Sequence, residues 1–337
     1  MTRELLTQFD SLPAGFLGCS AQDLHTIIPG PSLIHLPGRN SEPIFISVLL
    51  HGNETTGLTT VQNLLKKYQD KQLPRSISLF TGNVIAAKEG MRRLENQPDY
   101  NRVWPGSELA DCSESNMMQQ VVDEMVRRHV FVSVDIHNNT GLNPHYACIN
   151  KLNPRFLNLA NMFSRLVVYF LRPKGVQSAA FARHCPAVTL ECGKAEHEYG
   201  AEHALQYLDA CLHLQEIPDH KTNPGDIDLF HTVAQVQIKE HIEFSFDGVA
   251  SDLNLDSNLD HMNFTEIERG TTWGQISDQY TMPLIAKNET GEEVTDQYFK
   301  NQNGKLVSIK NIMPSMLTLD EKIVRQDCLC YLMERME

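Results

Sequence analysis

The sequence predicts an α/β domain followed by a smaller β-rich one, and three observations carry that prediction. From about residue 32 to 216, short apolar β-branched runs alternate with longer helical stretches. The strand candidates are continuous apolar runs, the pattern of a sheet covered on both faces. At Pro218-Asp219-His220-Lys221-Thr222-Asn223-Pro224-Gly225 the character changes to a Pro/Gly/polar stretch that reads as a linker. Beyond it, 233–238 and 305–310 alternate apolar and polar residues, as half-buried antiparallel strands do. We therefore divide the 337 residues into 1–220 and 221–337, two domains of ordinary size.

Within the first domain, strands are expected at 32–36, 44–50, 76–81, 130–136, 145–150, 166–171 and 187–192. Helices are expected at 55–69, 115–128, 154–164 and 200–215. The run Ile44-Phe45-Ile46-Ser47-Val48-Leu49-Leu50 is the most apolar of the strands, and at seven residues far short of the ~20 needed to span a bilayer. No membrane partner is expected. The start, Met1-Thr2-Arg3-Glu4-Leu5-Leu6, carries an early acid and no long apolar stretch, so a secretory leader is not expected.

Hydrophobic residues make up 41% and charged residues 21%, the balance of a folded chain. A core of normal size is available without a disulfide or metal staple. The net charge of −13, with no Lys/Arg-rich run, counts against nucleic acid as the main partner, and none is expected. It leaves room for a small anionic substrate, since a few arginines in a cleft reverse the local field. The eight cysteines are scattered without CxxC pairs, Cys328-Leu329-Cys330 being the one close pair, which points to reduced thiols in a cytoplasm and to no zinc ribbon.

The sharpest local signal is His51-Gly52-Asn53-Glu54, between the strand at 44–50 and the helix beginning near 55. A His and a Glu three apart at a strand end can turn onto one metal ion, with Gly52 letting the backbone bend sharply between them. Zinc accepts imidazole nitrogen and carboxylate oxygen and in catalytic sites keeps one position open. By itself the pattern is weak and is better described as a loop histidine beside a helix N-terminal glutamate favoured by the macrodipole. A third ligand is available from Asp135-Ile136-His137-Asn138-Asn139-Thr140, where a buried strand runs into a polar turn. Ligands gather at the carboxyl ends of strands in open α/β sheets. His51, Glu54 and His137 would then form a His₂Glu set.

Arg92, Arg93, Asn101 and Arg102 fall within one stretch after Asn83, and guanidinium forks bind carboxylates bidentately. The alternative for them is a solvated cluster paired with Glu95 and Asp99. Thr189-Leu190-Glu191-Cys192-Gly193-Lys194 closes an apolar strand with a glutamate, a candidate general base whose pKa burial would raise. Alone, Glu191 would read as a capping or salt-bridged residue.

The joint order of these pieces resembles the succinylglutamate desuccinylase/aspartoacylase family of the zinc carboxypeptidase superfamily. The matching elements are His51-Gly-Asn-Glu54, Asn83…Arg92…Asp99-Tyr-Asn-Arg102, Asp135-Ile-His-Asn-Asn-Thr140 and Thr189-Leu-Glu-Cys-Gly-Lys194. The resemblance covers about 40 to 215 and implies a three-layer αβα domain with a mixed sheet. It implies that His51, Glu54 and His137 bind one zinc ion per chain. Arg92 would polarise the scissile carbonyl, with Arg93 its rival because two extra residues precede Asp99. Asn101 and Arg102 would hold a substrate carboxylate, Arg183 would be a second anchor, and Glu191 would be the base. The expected substrate is a small anionic N-acyl amino acid, with the β-rich domain narrowing the cleft against peptides. The departures from the family pattern, such as Asn83-Val84 in place of Asn-Pro, bear on the substrate more than on the chemistry.

Other signals weigh less. His197 and His203 flank an HExxxxH segment whose spacing puts the two rings on opposed helical faces, unlike HExxH. His145 and His184 read as hydrogen-bonded structural groups, Trp104 as a residue packing a turn, and Cys328 and Cys330 as ordinary thiols. Two rival functions fit the same motifs: a metallocarboxypeptidase acting on peptides or peptidoglycan fragments, and a non-catalytic binding protein on the same scaffold.

Overall fold

A computed structural model of the chain describes residues 5–223, 225–249 and 251–336. Residues 1–4, on which the leader expectation partly rests, lie outside the described residues, as do Pro224 of the linker and the side chain of Glu198. The chain forms two compact units. One takes the chain up to Asn138, His145–Tyr169 and Pro173–Asp228; the other takes Asn139–Pro144, Phe170–Arg172 and Leu229 onward.

The first unit carries β1 (Thr7–Phe9), β2 (Ser32–Leu36), β3 (Gly38–Val48), β4 (Leu73–Thr81), β5 (Val132–His137), β6 (Tyr146–Ile149), β7 (Leu166–Tyr169) and β8 (Ala187–Glu191). They lie in the order β1-β2-β4-β3-β5-β8-β6-β7. The sheet is mixed: β2 pairs β4 and β6 pairs β8 antiparallel, while β3, β4, β5 and β8 run parallel. Between the strands come α1 (Thr56–Lys67), α2 (Val84–Lys88), α3 (Ser113–Arg127), α4 (Pro154–Asn161), α5 (Gln177–Phe181) and α6 (Glu198–His213). Every expected strand and helix of this unit is present with ends shifted by a few residues. The exception is β3, which starts at Gly38 and not near 44. Its extra residues, Arg39 to Glu42, are polar, and they pair with β4 across an irregularity between Asn40 and Ile44, so no apolar period marks them.

Alternation along β3 explains the layering. Val48 faces Gly57 of α1, against which Ile136 of β5 also packs. Phe45, three residues earlier, points to the other side of the sheet. There it stacks on Phe181 at 4.5 Å and meets Trp104 edge-on at 6.4 Å. Trp104 also contacts Phe80 at 5.8 Å and is wholly buried, so it is a core residue as well as part of a turn. On its own face, α1 packs along α6, with Thr60 Oγ1 donating to the Ala201 carbonyl and Lys67 paired to Asp209.

The second unit is β-rich. It carries β9 (Asp228–Ile238), β10 (Phe244–Ser245), β11 (Leu253–Leu255), β12 (Thr272–Ile276), β13 (Leu284–Asn288), β14 (Phe299–Gln302), β15 (Lys305–Ser308), β16 (Met313–Ser315) and β17 (Cys330–Arg335), with short helices α7 (Thr295–Tyr298) and α8 (Glu321–Gln326). β9 is flanked antiparallel by β13 and β17, and β17 by β16. The other five strands order as β10-β11-β12-β15-β14. Burial along β9 alternates strictly from Phe230, and 305–308 of the expected 305–310 strand is β15. Trp273 against Phe299, 5.1 Å and edge-on, centres this core, and both Cys328 and Cys330 are buried. Among the described residues, no helix is long and apolar enough to cross a membrane.

If Trp104 holds the aromatic layer together, Trp104→Ala should cost about 3–5 kcal/mol in urea denaturation with an unchanged m value. A loss below about 1 kcal/mol would contradict its place in the core.

Candidate functional site

The carboxyl ends of β3, β5 and β8 deliver the site. β3 ends at Val48, and Leu49 then adopts a left-handed conformation, φ 56°, which is costly for a branched residue and turns the chain sharply. Gly52 does not make that turn. It is required for space: a Cβ there would lie 2.2 Å from the Ala87 nitrogen of α2, while its own N–H donates to the Arg92 carbonyl at 3.1 Å. The turn closes as the Glu54 N–H bonds the His51 carbonyl, and α1 begins. Asn138, one residue beyond β5, fastens this end together. Its Oδ1 accepts from the Thr56 N–H, its Nδ2 donates to the Gly193 carbonyl after β8, and its own N–H donates to Glu54.

His51, Glu54 and His137 are all buried, and one ligand atom from each lies within 4.8 Å of the others. Both rings turn Nδ1 toward the Glu54 carboxylate, at 2.7 Å for His51 and 2.6 Å for His137. Both turn Nε2 outward to a second carboxylate: His51 to Asp99 at 3.0 Å, His137 to Asp135 at 2.8 Å. Ser47 of β3, the register partner of Asp135, donates to its other oxygen at 2.6 Å. Arg92 reaches Asp99 at 3.1 Å and stands 3.6 Å from Glu54.

The charges explain the proton affinities. Burial disfavours ionisation of Glu54, yet His51 and His137 hold its carboxyl far below the usual range. Asp99 is likewise buried but held well below its ordinary value by His51 and Arg92. Burial and Arg92 lower the affinity of His51, but Glu54 and Asp99 raise it further, so the net shift is upward. His137, also opposed by burial, is pushed well up by Asp135 and Glu54. The carboxylates of Glu54, Asp99 and Asp135 outnumber the guanidinium groups of Arg92 and of Arg102, which also acts on Asp99. Imidazolium rings would balance the surplus; so would a divalent cation between two neutral rings. In the second state Nε2–H still donates to its carboxylate, and Nδ1 offers its lone pair inward. The donor set, two imidazoles and one carboxylate, suits a divalent metal of the zinc type.

The remaining candidates fall into three groups. Arg92, not Arg93, faces the cluster; Arg93 donates to the Gln97 carbonyl in its own loop. Asn83 caps α2 through Ala86 and donates to Gln97, so it shapes that loop from within. Asn101 is buried, with Oδ1 accepting from the Gln177 N–H at 3.1 Å and Nδ2 3.2 Å from His137 Nε2. Because Nε2–H is engaged by Asp135, the Asn101 amide keeps donor capacity. Arg102 is half-buried, one terminal nitrogen donating to the Asn101 carbonyl. Arg183 is exposed and lies against Gly106, beside the loop that carries Asn101 and Arg102. Glu191 is buried as the last residue of β8, in register with His137 of β5 and Tyr146 of β6.

The sequence assigns no role to Asp135, Ser47 or Asn138, and gives Asp99 only as a partner of the arginines, which it is for Arg92, and not as a partner of His51. Asp135 had a usable signal: it stands two before His137 on the same strand face, a charge inside an otherwise apolar run. Asp99 had none, since its reach to His51 spans 48 residues of chain. Elsewhere, His203 bonds the Phe163 carbonyl at 2.7 Å, and His145 stacks with Phe163 and Tyr199.

Residues 42–217 match the family model of the succinylglutamate desuccinylase/aspartoacylase catalytic domain. No curated protein matches the sequence. Among solved structures, the fold is similar to the succinylglutamate desuccinylase of Chromobacterium violaceum, at 17% identity and TM-score 0.58, covering 89% of this chain and 86% of that one. It is similar to the Vibrio parahaemolyticus enzyme of the same name, at 15% identity and TM-score 0.59, covering 90% and 86%. Murine aminoacylase 3 aligns at 12% identity and TM-score 0.56, covering 88% and 96%. The chain belongs to the succinylglutamate desuccinylase/aspartoacylase family, with the fold of a hydrolase of that type.

Proposed function

We propose that this chain is a zinc-dependent hydrolase that cleaves the amide bond of a small anionic N-acyl amino acid. One observation carries the reading: two imidazoles and a carboxylate converge within 4.8 Å, with a buried glutamate in register beside one of them. Catalysis is assigned to residues 1–220, from which every one of these side chains comes, and the scattered cysteine usage fits a cytoplasmic enzyme.

His51, Glu54 and His137 would hold the ion. Bound zinc acidifies water and polarises a carbonyl. Glu191, which is not needed as a ligand, removes a proton from the attacking water and delivers it to the amine as the C–N bond breaks. A C–O bond forms as that bond is lost, giving a carboxylate and a free amino acid. Arg92, fixed by Asp99, donates to the carbonyl oxygen as negative charge develops there. Arg102 and the remaining donor of Asn101 receive a substrate carboxylate, with exposed Arg183 as an outer anchor.

A zinc-loaded activity screen over N-acetyl-aspartate, N-succinyl-glutamate and C-terminal dipeptides tests the substrate class. Hydrolysis of one of the first two is expected; cleavage of dipeptides alone would move the assignment to a carboxypeptidase. Glu191→Gln should retain zinc while losing about 10²–10⁴ in kcat, and a variant turning over at the parental rate would remove Glu191 as base. His51→Ala should release the metal, so an undiminished zinc content by atomic emission would refute the ligand set. Asp135→Asn should weaken zinc binding about 10- to 100-fold while leaving the three ligands in place. Unchanged affinity by competition with a chelator would show that Asp135 does not orient His137.

A further inference from the structure

Of the groups assigned to a substrate carboxylate, Arg102 and Arg183 can only donate hydrogen bonds. Asn101 can turn either a donor or an acceptor to the site. Its surroundings decide which. Oδ1 accepts from the Gln177 N–H at 3.1 Å, and Nδ2 lies 3.2 Å from His137 Nε2. As an imidazolium or as a neutral ligand through Nδ1, His137 carries a proton on Nε2 and donates it to Asp135 at 2.8 Å. Nδ2 and Nε2 are then two donors face to face, and the ring by itself favours the turned amide, with oxygen toward Nε2–H. The Gln177 N–H opposes that turn, because the turned amide would set its NH₂ against another donor. Asn101 keeps 8% of its surface open, and Arg102 next to it is half-buried.

Gln177 is firmly placed for this. It is the first residue of α5, where backbone N–H groups have no acceptor within the helix. Val176 before it offers no side-chain cap, so Asn101 supplies one from another part of the chain. The Gln177 side chain is wholly buried, and its Nε2 donates to Ser133 Oγ of β5 at 2.6 Å. Its Oε1 has no partner, a cost that an apolar residue at this position would avoid. Ser133 lies on the face of β5 that carries Asp135 and His137, so one strand fixes both the ring and the group that opposes it. Thr189 of β8, two residues before Glu191, donates to Ser178 Oγ at 3.0 Å and holds the same end of α5.

We propose that Gln177 is a positioning residue whose backbone N–H locks the Asn101 amide with Nδ2 on the side of His137, so that Asn101 and Arg102 together present donors alone. Such a subsite takes a carboxylate and disfavours an ammonium or amide N–H, which needs an acceptor. The inference rests on the assignment of Asn101 and Arg102 to a substrate carboxylate made above.

The test follows the nitrogen-15 signal of the Asn101 side-chain amide, identified by its loss in Asn101→Asp. N-acetyl-aspartate and N-succinyl-glutamate are titrated into the zinc-loaded Glu191→Gln protein, which should hold them without turnover. Position 177 is varied in three ways. Gln177→Ala keeps the N–H, lactic acid placed at 177 replaces only that N–H of the alanine variant by an ester oxygen, and Gln177→Pro removes it at a first helical position that follows an extended residue, where proline fits. At least one probe should move the Asn101 signal to saturation. Its affinity should stay within about threefold in Gln177→Ala and fall about tenfold or more in the lactic acid and proline forms. Equal affinity of the alanine and lactic acid forms, or an Asn101 signal that neither probe moves, would overturn the proposal. Hydrolysis by the parent protein is a separate outcome: probes that move the Asn101 signal but are not cleaved count against the activity and support the lock, and cleavage without movement does the reverse.

Discussion

A surplus of carboxylates over guanidinium groups, buried where Glu54, Asp99, Asp135 and Arg92 meet, is the constraint on which the site depends. A low-dielectric interior does not tolerate such a surplus uncompensated. Compensation comes from His51 and His137, each held between two carboxylates, either as imidazolium or as neutral ligands to a dication. The fold supplies the rigidity this needs. Asp135 and His137 share a face of β5, Ser47 sits in register beside them, and Asn138 ties the ends of β5, β8 and α1 into one unit.

The local backbone bears the cost of that placement. Leu49 takes a left-handed conformation directly before the His51 turn, and Gly52 admits α2 to van der Waals range. Neither feature stabilises the fold by itself. Both persist because the surrounding strands and the Arg92 carbonyl over-determine the turn, as is common where side chains are held for chemistry.

Much of this was legible in the residues. Apolar strands at 44–48 and 132–136 announced a covered sheet, and the HGNE turn and strand-end His137 and Glu191 announced side chains that the fold brings to the same strand ends. What escaped has physical reasons. The polar start of β3 has no apolar period, and α2 and α5, five residues each, are too short to show one. Arg92 and Arg93 are adjacent and chemically identical, so only the packing of the loop by Asn83 and Gln97 tells them apart. Asp99 meets His51 only in the fold. The Gly52 inference named the right residue for the wrong reason, since steric room and conformational freedom leave the same letter in a sequence.

The central claim is that the two imidazoles and Glu54 form one cation site. X-ray absorption spectroscopy of the zinc-loaded protein tests it most directly. The account predicts a shell of nitrogen and oxygen at about 2.0–2.2 Å with multiple-scattering features of two imidazoles. A sulfur shell near about 2.3 Å, or a shell lacking imidazole, would contradict it.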